Sequence, residues 1–227
     1  MTCNSLWDLN EEIIACRKCP RLVTWREEVA RTKRSAYREW DYWGKPVPGF
    51  GDADAKILVV GLAPGAHGSN RTGRMFTGDA SGEFLYPSLY RAGFSNQPHA
   101  TQRDDGLQLL NLYITAVCRC VPPGNKPERR EILNCRPNLL SEIALLTQLQ
   151  GIVVLGKMAF ENIIQIYREL NRIKLHDHFH HGGFLKMGAG MPWLLASYHP
   201  SRQNTQTKQL TVEMFDMIWR IAKEKIK

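Results

Sequence analysis

The sequence predicts an α/β layered fold with a mostly parallel sheet. Three observations predict it. Short apolar runs at Lys56–Val60, Leu109–Val117 and Gly151–Leu155 have the length and continuity of strands buried on both faces. Helical patterns at Ile132–Leu149 and Met158–Leu170 alternate with them. Gly-rich or polar loops follow two strands, and ligands in such folds bind beyond the carboxyl ends of strands.

The elements follow in order. Ser5–Ala15 reads as a helix, with Ser5 as N-cap and Leu6, Leu9, Ile13 and Ile14 at helical spacing. Cys16-Arg-Lys-Cys19-Pro20 ends it, and Arg21–Glu39 is a charged second helix. Tyr42–Asp54 is rich in Gly and Pro and reads as loop. The Lys56–Val60 strand runs into a Gly-rich loop, Gly61–Asp79. In Asp-Ala-Ser-Gly-Glu, Asp79 has the place of an N-cap for a following helix. Phe184–Met187 and Trp193–Tyr198 flank Gly188-Ala-Gly190, which predicts a hairpin or a pair of adjacent strands. Leu210–Ile226 closes the chain as a helix with Val212, Phe215, Ile218 and Trp219 on one face.

A chain of 227 residues is long enough for one well-buried core and short for two. The expectation is one domain over 1–227, with residues 1–54 as a helical extension. Thirty Lys and Arg against 22 Asp and Glu give a net charge of +8. That excess favours an anionic partner such as nucleic acid or a membrane surface, and equally fits a soluble basic protein. The apolar runs are too short to span a membrane, and Met1–Trp7 lacks the basic and apolar regions of a secretory signal. An intracellular protein is expected.

In a reducing compartment, clustered cysteines read as metal ligands, with hyperthermophile disulfides as the exception. Cys16 and Cys19 form a C-x-x-C, and Cys120 and Cys135 a C-x14-C. The two pairs suggest one four-thiolate site that ties the N-terminal segment to the body. The spacing suits zinc or an iron–sulfur cluster and leaves both open. Cys118 falls in a strand and reads as buried packing; Cys3 is left over. His176-Asp-His178-Phe-His180-His181 offers alternating histidines but matches no zinc motif, so it reads as a polar loop.

Two loops carry the chemistry. Gly61–Asp79 has small residues that let backbone N–H groups approach a ligand closely. It also offers Arg71, Arg74, Phe76 and Asp79, and it lacks the spacing of a P-loop. Tyr198–Thr207 places His199 directly after a strand. Ser201, Arg202, Gln203 and Asn204 behind it can donate to phosphates or bases. Each loop alone also fits an ordinary turn.

Together, G-L-A-P-G-A-H-G…R-T-G-R-M-F-T-G-D-A-S-G and H-P-S-R-Q-N-T-Q-T resemble the two signature motifs of family 5 uracil-DNA glycosylases. The cysteine spacing resembles the ligand set shared by families 4 and 5. The resemblance implies a three-layer α/β/α sandwich around a parallel four-stranded sheet. It also implies a [4Fe–4S] cluster on Cys16, Cys19, Cys120 and Cys135, tying on the extension. The implied activity is base-excision repair: removal of uracil from DNA to leave an abasic site. The implied partner is DNA containing uracil or another deaminated base, bound by a monomer without a membrane.

The same resemblance assigns roles. Phe76 matches the position that stacks on a flipped base. His199 matches the histidine that donates to the carbonyl of the leaving base, with backbone N–H groups near Gly65 and Ala66 as further donors. Leu62 stands where family 4 has a carboxylate, so Asp79 is the remaining group to position water. Asn125 matches an asparagine that contacts water or substrate, and it also suits a turn. Ala116 stands where family 4 has an Asn that reads uracil, which implies wider acceptance, including hypoxanthine and xanthine. Arg71, Arg74, Ser201, Arg202, Gln203 and Asn204 are expected on DNA. Arg17, Lys18, Arg129, Arg130 and Arg136 form a further candidate phosphate patch. Lys208 departs from the usual Gly after T-Q-T. The rival readings are a non-catalytic nucleic-acid-binding protein on the same metal-stabilised scaffold, favoured by the missing carboxylate, and a redox iron–sulfur protein.

Overall fold

A six-stranded sheet forms the centre of the computed structural model, which describes residues 4–171 and 177–227. Cys3 and His176 lie outside the described residues. The strands are β1 (Phe50–Gly51), β2 (Ile57–Gly61), β3 (Leu112–Ala116), β4 (Gly151–Leu155), β5 (Phe184–Lys186) and β6 (Trp193–Ser197), in the order β1-β3-β2-β4-β6-β5. The inner four run parallel, with Val59 opposite both Ile114 and Val153. The two edge strands are antiparallel. The expected parallel four-stranded sheet is therefore the middle of a mixed sheet. β5 and β6 form the hairpin expected around Gly188-Ala-Gly190. β1 falls in the stretch read as loop, because two residues carry no periodicity.

The helices are α1 (Leu6–Ile14), α2 (Pro20–Thr32), α3 (Ser69–Thr72), α4 (Ala80–Ala92), α5 (Arg129–Leu145), α6 (Lys157–Asn171), α7 (Arg202–Gln206) and α8 (Val212–Lys225). Ser5 caps α1 by accepting from the Asp8 N–H at 3.1 Å. Pro20 opens α2, where its missing N–H costs nothing. The charged run does not continue to Glu39. α2 stops at Thr32, and Lys33 takes a positive φ of 52°. α5 begins a turn earlier than its apolar pattern, because Glu128 and Glu131 form a capping box there. Cys135 accordingly lies on a helix.

Alternation along the strands makes three layers. Ile57, Val59, Ile114, Val153 and Leu195 face Leu85, Leu89, Phe215 and Trp219 of α4 and α8. Leu58, Val60, Ile152, Val154 and Leu194 face Leu139, Phe160 and Ile163 of α5 and α6. Both faces are covered, which explains the unbroken apolar runs. From β2 the chain crosses to β3 on one side; from β4 it crosses to β6 on the other. The switch point lies between β2 and β4, and a crevice opens beyond their carboxyl ends.

Candidate active site and a cysteine-lined cavity

A cavity of about 320 Å³ occupies that crevice. Gly61 and Leu62 at the end of β2, Ala116 at the end of β3, and His199 just past β6 form its base. Phe76, Asp79, Ser69, Asn125 and Ser201 also line it. Residues from four separate stretches thus meet in one place.

The Gly61–Asp79 loop is held by its own polar groups. Ser69 Oγ accepts from the Phe76 N–H at 3.0 Å, and the Tyr86 hydroxyl donates to the Met75 carbonyl at 2.8 Å. These contacts keep Phe76 at φ 52°, a strained region for a residue with a Cβ. The Phe76 and His199 ring centroids are 5.9 Å apart. Gly82 packs under the loop, where an added Cβ would lie 1.8 Å from the Phe76 carbonyl oxygen.

Asp79 is the N-cap expected for the following helix, and it also lines the cavity. Its Oδ1 caps α4, accepting from the N–H groups of Ser81 and Gly82 at 3.1 Å each. Its Oδ2 lies against the backbone of Gly65 and Gly68, where an added Cβ would come within 2.9 and 1.9 Å. The glycines of this loop therefore make room for a carboxylate of the protein itself. Burial pushes the Asp79 carboxyl above its ordinary range, and the two N–H groups pull it back. Asp79 is the only carboxylate among the residues lining the cavity.

His199 lacks a protein partner for either ring nitrogen among the described residues; only its backbone is engaged, its carbonyl accepting from Asn204 Nδ2 at 2.9 Å. Burial pulls its pKa down to about 4, so the imidazole is neutral near pH 7. A neutral imidazole carries one ring N–H.

The remaining expected residues separate into two groups. Arg71 and Arg74 do not face DNA: each is 3% exposed. Arg71 lies between the rings of Tyr37 and Trp40, 4.0 Å from each centroid, and donates to the carbonyls of His67 and Gly78. Arg74 pairs with Asp105 at 2.7 Å. Both arginines hold the loop. Ser201 and Asn204 are also engaged internally, Ser201 as N-cap of α7. Arg202 and Gln203 are exposed beside the cavity. In the second basic patch, Arg17 pairs with Glu27 and Arg136 with Glu169, whereas Lys18, Arg129 and Arg130 are exposed.

Gly65 lines the main cavity, and Ala66 lines an adjoining one of about 410 Å³ that shares Gly65, Asp79, Ser81 and Asn125 with it. Arg34, Tyr37 and His67 stand on its wall and escaped the sequence reading. His67 was in the quoted motif; its Nδ1 lies 3.1 Å from the Tyr42 hydroxyl. Asn125 is exposed in a turn at φ 57°, so its turn role and its place at the cavity coexist. Lys208 also takes a positive φ, 58°, after α7.

The four cysteines line a second, smaller cavity between α1, α2, the β3–α5 connection and α5. Arg26 Nη1 donates to Cys120 Sγ at 3.0 Å, Asn134 Nδ2 to Cys19 Sγ at 3.4 Å, and the Arg119 N–H to Cys135 Sγ at 3.4 Å. Cys118 is fully buried beside them. Among the described residues, no three His, Cys, Asp or Glu converge to hold a metal ion. This includes the described part of the histidine-rich stretch, where His181 instead stacks on Tyr198 with centroids 5.2 Å apart.

The family model of the uracil DNA glycosylase superfamily matches residues 48–223. A type-5 uracil-DNA glycosylase of Thermus thermophilus is 52% identical over 205 residues, covering 90% of this chain and 91% of that one. The type-5 enzyme of Pyrobaculum aerophilum is 41% identical over 95% of this chain and 91% of its own length. The type-4 enzyme of the same organism is 30% identical over 71% of this chain and 65% of its own.

Proposed function

The chain belongs to the uracil DNA glycosylase superfamily, among its type-5 members, and from that premise we propose that it flips uracil out of DNA into the crevice and hydrolyses the N-glycosidic bond. The observation that carries this reading is the single cavity that gathers Phe76, His199, Asp79 and Asn125.

The C–N bond breaks with its electron pair going to the base, and the sugar gains oxocarbenium character. Phe76 offers a face for the flipped base. The neutral His199 donates its ring N–H to the carbonyl oxygen on which charge develops. A neutral donor strengthens its hydrogen bond as that charge grows and carries no charge of its own to desolvate. Water, oriented by the Asp79 carboxylate, then bonds to the anomeric carbon, and its proton passes through solvent to the departed base anion. Asn125, at the rim, supplies a further polar contact. Arg202 and Gln203 meet the DNA backbone outside the cavity, along with Lys18, Arg129 and Arg130, so affinity falls steeply with added salt.

Ala116 places a methyl group where a polar side chain would read the base edge. The pocket therefore discriminates weakly among deaminated bases and accepts hypoxanthine as well as uracil.

The four cysteines fit a [4Fe–4S] cluster. The support is the donor set: four thiols from separate segments of the chain line one cavity. A cluster takes one thiolate on each iron. Cys16, Cys19, Cys120 and Cys135 would hold it, clamping residues 1–54 to α5. When bound, it supplies cross-linking between segments distant in sequence.

Single-turnover incubation with uracil-containing DNA, followed by alkaline cleavage at abasic sites, tests the activity. Strand breaks at uracil are expected. DNA that is bound and left intact would instead support a non-catalytic binding protein on this scaffold. No helix among the described residues is long and apolar enough to cross a membrane.

A further inference from the structure

Two arginines share the cysteine cavity, and neither has a complete set of partners. Arg26 is 2% exposed and Arg119 is 1% exposed. Both line the cavity with the four cysteines. Arg26 Nη1 donates to the Cys16 carbonyl and to Cys120 Sγ, but Arg26 Nε and Arg119 Nε and Nη1 have no hydrogen-bond partner among the described residues. The carboxylate paired with Arg26 is Glu27, 3.8 Å away and half exposed. Arg119 pairs with the buried Glu142, which also accepts from Thr115 Oγ1 at 2.7 Å. Two buried cations thus stand against the one buried carboxylate of Glu142, since the buried Glu131 beside the site is paired with Arg21.

A buried positive charge without a counter-charge is strongly unfavourable, and so are buried N–H groups without acceptors. Four neutral thiols, or two disulfides, would leave both defects in place. An anionic occupant bonded to the four sulfurs removes both at once. Thiolate and inorganic sulfur accept N–H donors, and hydrogen bonds and charge around such sulfurs tune a cluster.

We infer that Arg26 and Arg119 are the cationic half of the cysteine site, donating to the sulfurs of a bound iron–sulfur cluster and setting its charge balance. This rests on the cluster reading above. The expected sign is independent of which one-electron couple operates. The reduced cluster always carries one more negative charge, so a nearby cation favours it. Removing that cation moves the reduction potential to more negative values. Arg26 is the cleaner probe, because Arg119 also holds Glu142 and Thr115.

The experiment uses full-length protein purified without oxygen. Iron and sulfide per chain are counted, and the potential is read by voltammetry for the wild type, Arg26→Lys and Arg26→Gln. The expected result is a potential shifted negative in Arg26→Gln, with faster loss of iron to a chelator, and a smaller shift in Arg26→Lys. An unshifted potential and unchanged iron retention in Arg26→Gln would overturn the role of Arg26 and leave the cluster reading intact. A wild type without iron and sulfide would overturn both. A second readout needs no variant: pulsed electron paramagnetic resonance of the reduced cluster in protein labelled with 15N-arginine. Coupling to guanidinium nitrogen is expected, and its absence would overturn the contact.

Discussion

The crevice and the cysteine cavity are both assembled from distant segments, but they treat polar groups in opposite ways. In the crevice the buried groups are held in place and left with capacity to spare. The His199 ring nitrogens have no partner among the described residues, and Asp79 commits one oxygen to capping while the other lies against glycine backbone. In the cysteine cavity the donors already point at sulfur, from Arg26, Asn134 and the Arg119 backbone. A site that acts on a passing ligand leaves its hydrogen-bonding capacity to that ligand. In the cysteine cavity part of that capacity is committed to sulfur, while Arg26 Nε and Arg119 Nε and Nη1 have no acceptor among the described residues. The electrostatics differ likewise: an uncharged imidazole and one carboxylate in the crevice, two buried cations in the cavity.

The largest expected effect separates the two regions. His199→Ala should lower the single-turnover rate of uracil removal about 10²–10³-fold, by loss of a donor to the leaving base, with little change in Tm. Cys135→Ser should do the reverse, lowering Tm and releasing the N-terminal extension to protease. Should Cys135→Ser slow excision at unchanged Tm, the division of labour would collapse.

Asp79 comes next. Asp79→Asn should slow hydrolysis about 10²-fold or more, if the carboxylate handles water. The wild-type rate should rise with pH as Asp79 ionises, with a midpoint above the 3.8 of an ordinary aspartate. In the variant only the limb set by His199 near 4 should remain. His199, with a pKa near 4, should add no limb near 6.5; one appearing there would mean that it is not buried neutral. Gly68→Ala probes the same contact from the other side. Its Cβ would fall 1.9 Å from Oδ2, so excision should drop as Asp79 is displaced.

Smaller effects sharpen the picture. Ala116→Asn should cut the hypoxanthine rate relative to uracil by about tenfold or more, measured on paired substrates. The smallest concerns stability alone. Lys208 has φ 58°, and Lys208→Gly should stabilise the fold by about 1 kcal/mol in a denaturant titration. That φ gives a physical reason for the Gly usual at this place in the resembling family.

Much of this was legible in the sequence, and the exceptions share a cause. The strands were legible because burial on both faces writes a continuous apolar run. The crevice was legible because its loops directly follow strands. The short β1 and α3 were not, since two to four residues carry no periodic signal. Arg71 and Arg74 were assigned to DNA because an arginine in a polar loop ordinarily faces water. Nothing local to them records that Tyr37, Trp40 and Asp105 would enclose them.

The sequence by itself determined the layered α/β class, the family, the paired cysteines and the place of the crevice. The class, the cysteine pairs and the place of the crevice are carried by period and spacing along the chain, and the family by the resemblance of its two loop motifs. Tertiary structure alone decided which polar groups are spent and which are free. Asp79 meets Gly65 and Gly68 only once the loop closes. Arg26 meets Cys120 across 94 residues of sequence. Such contacts depend on where packed layers bring side chains together, and no local pattern encodes that distance.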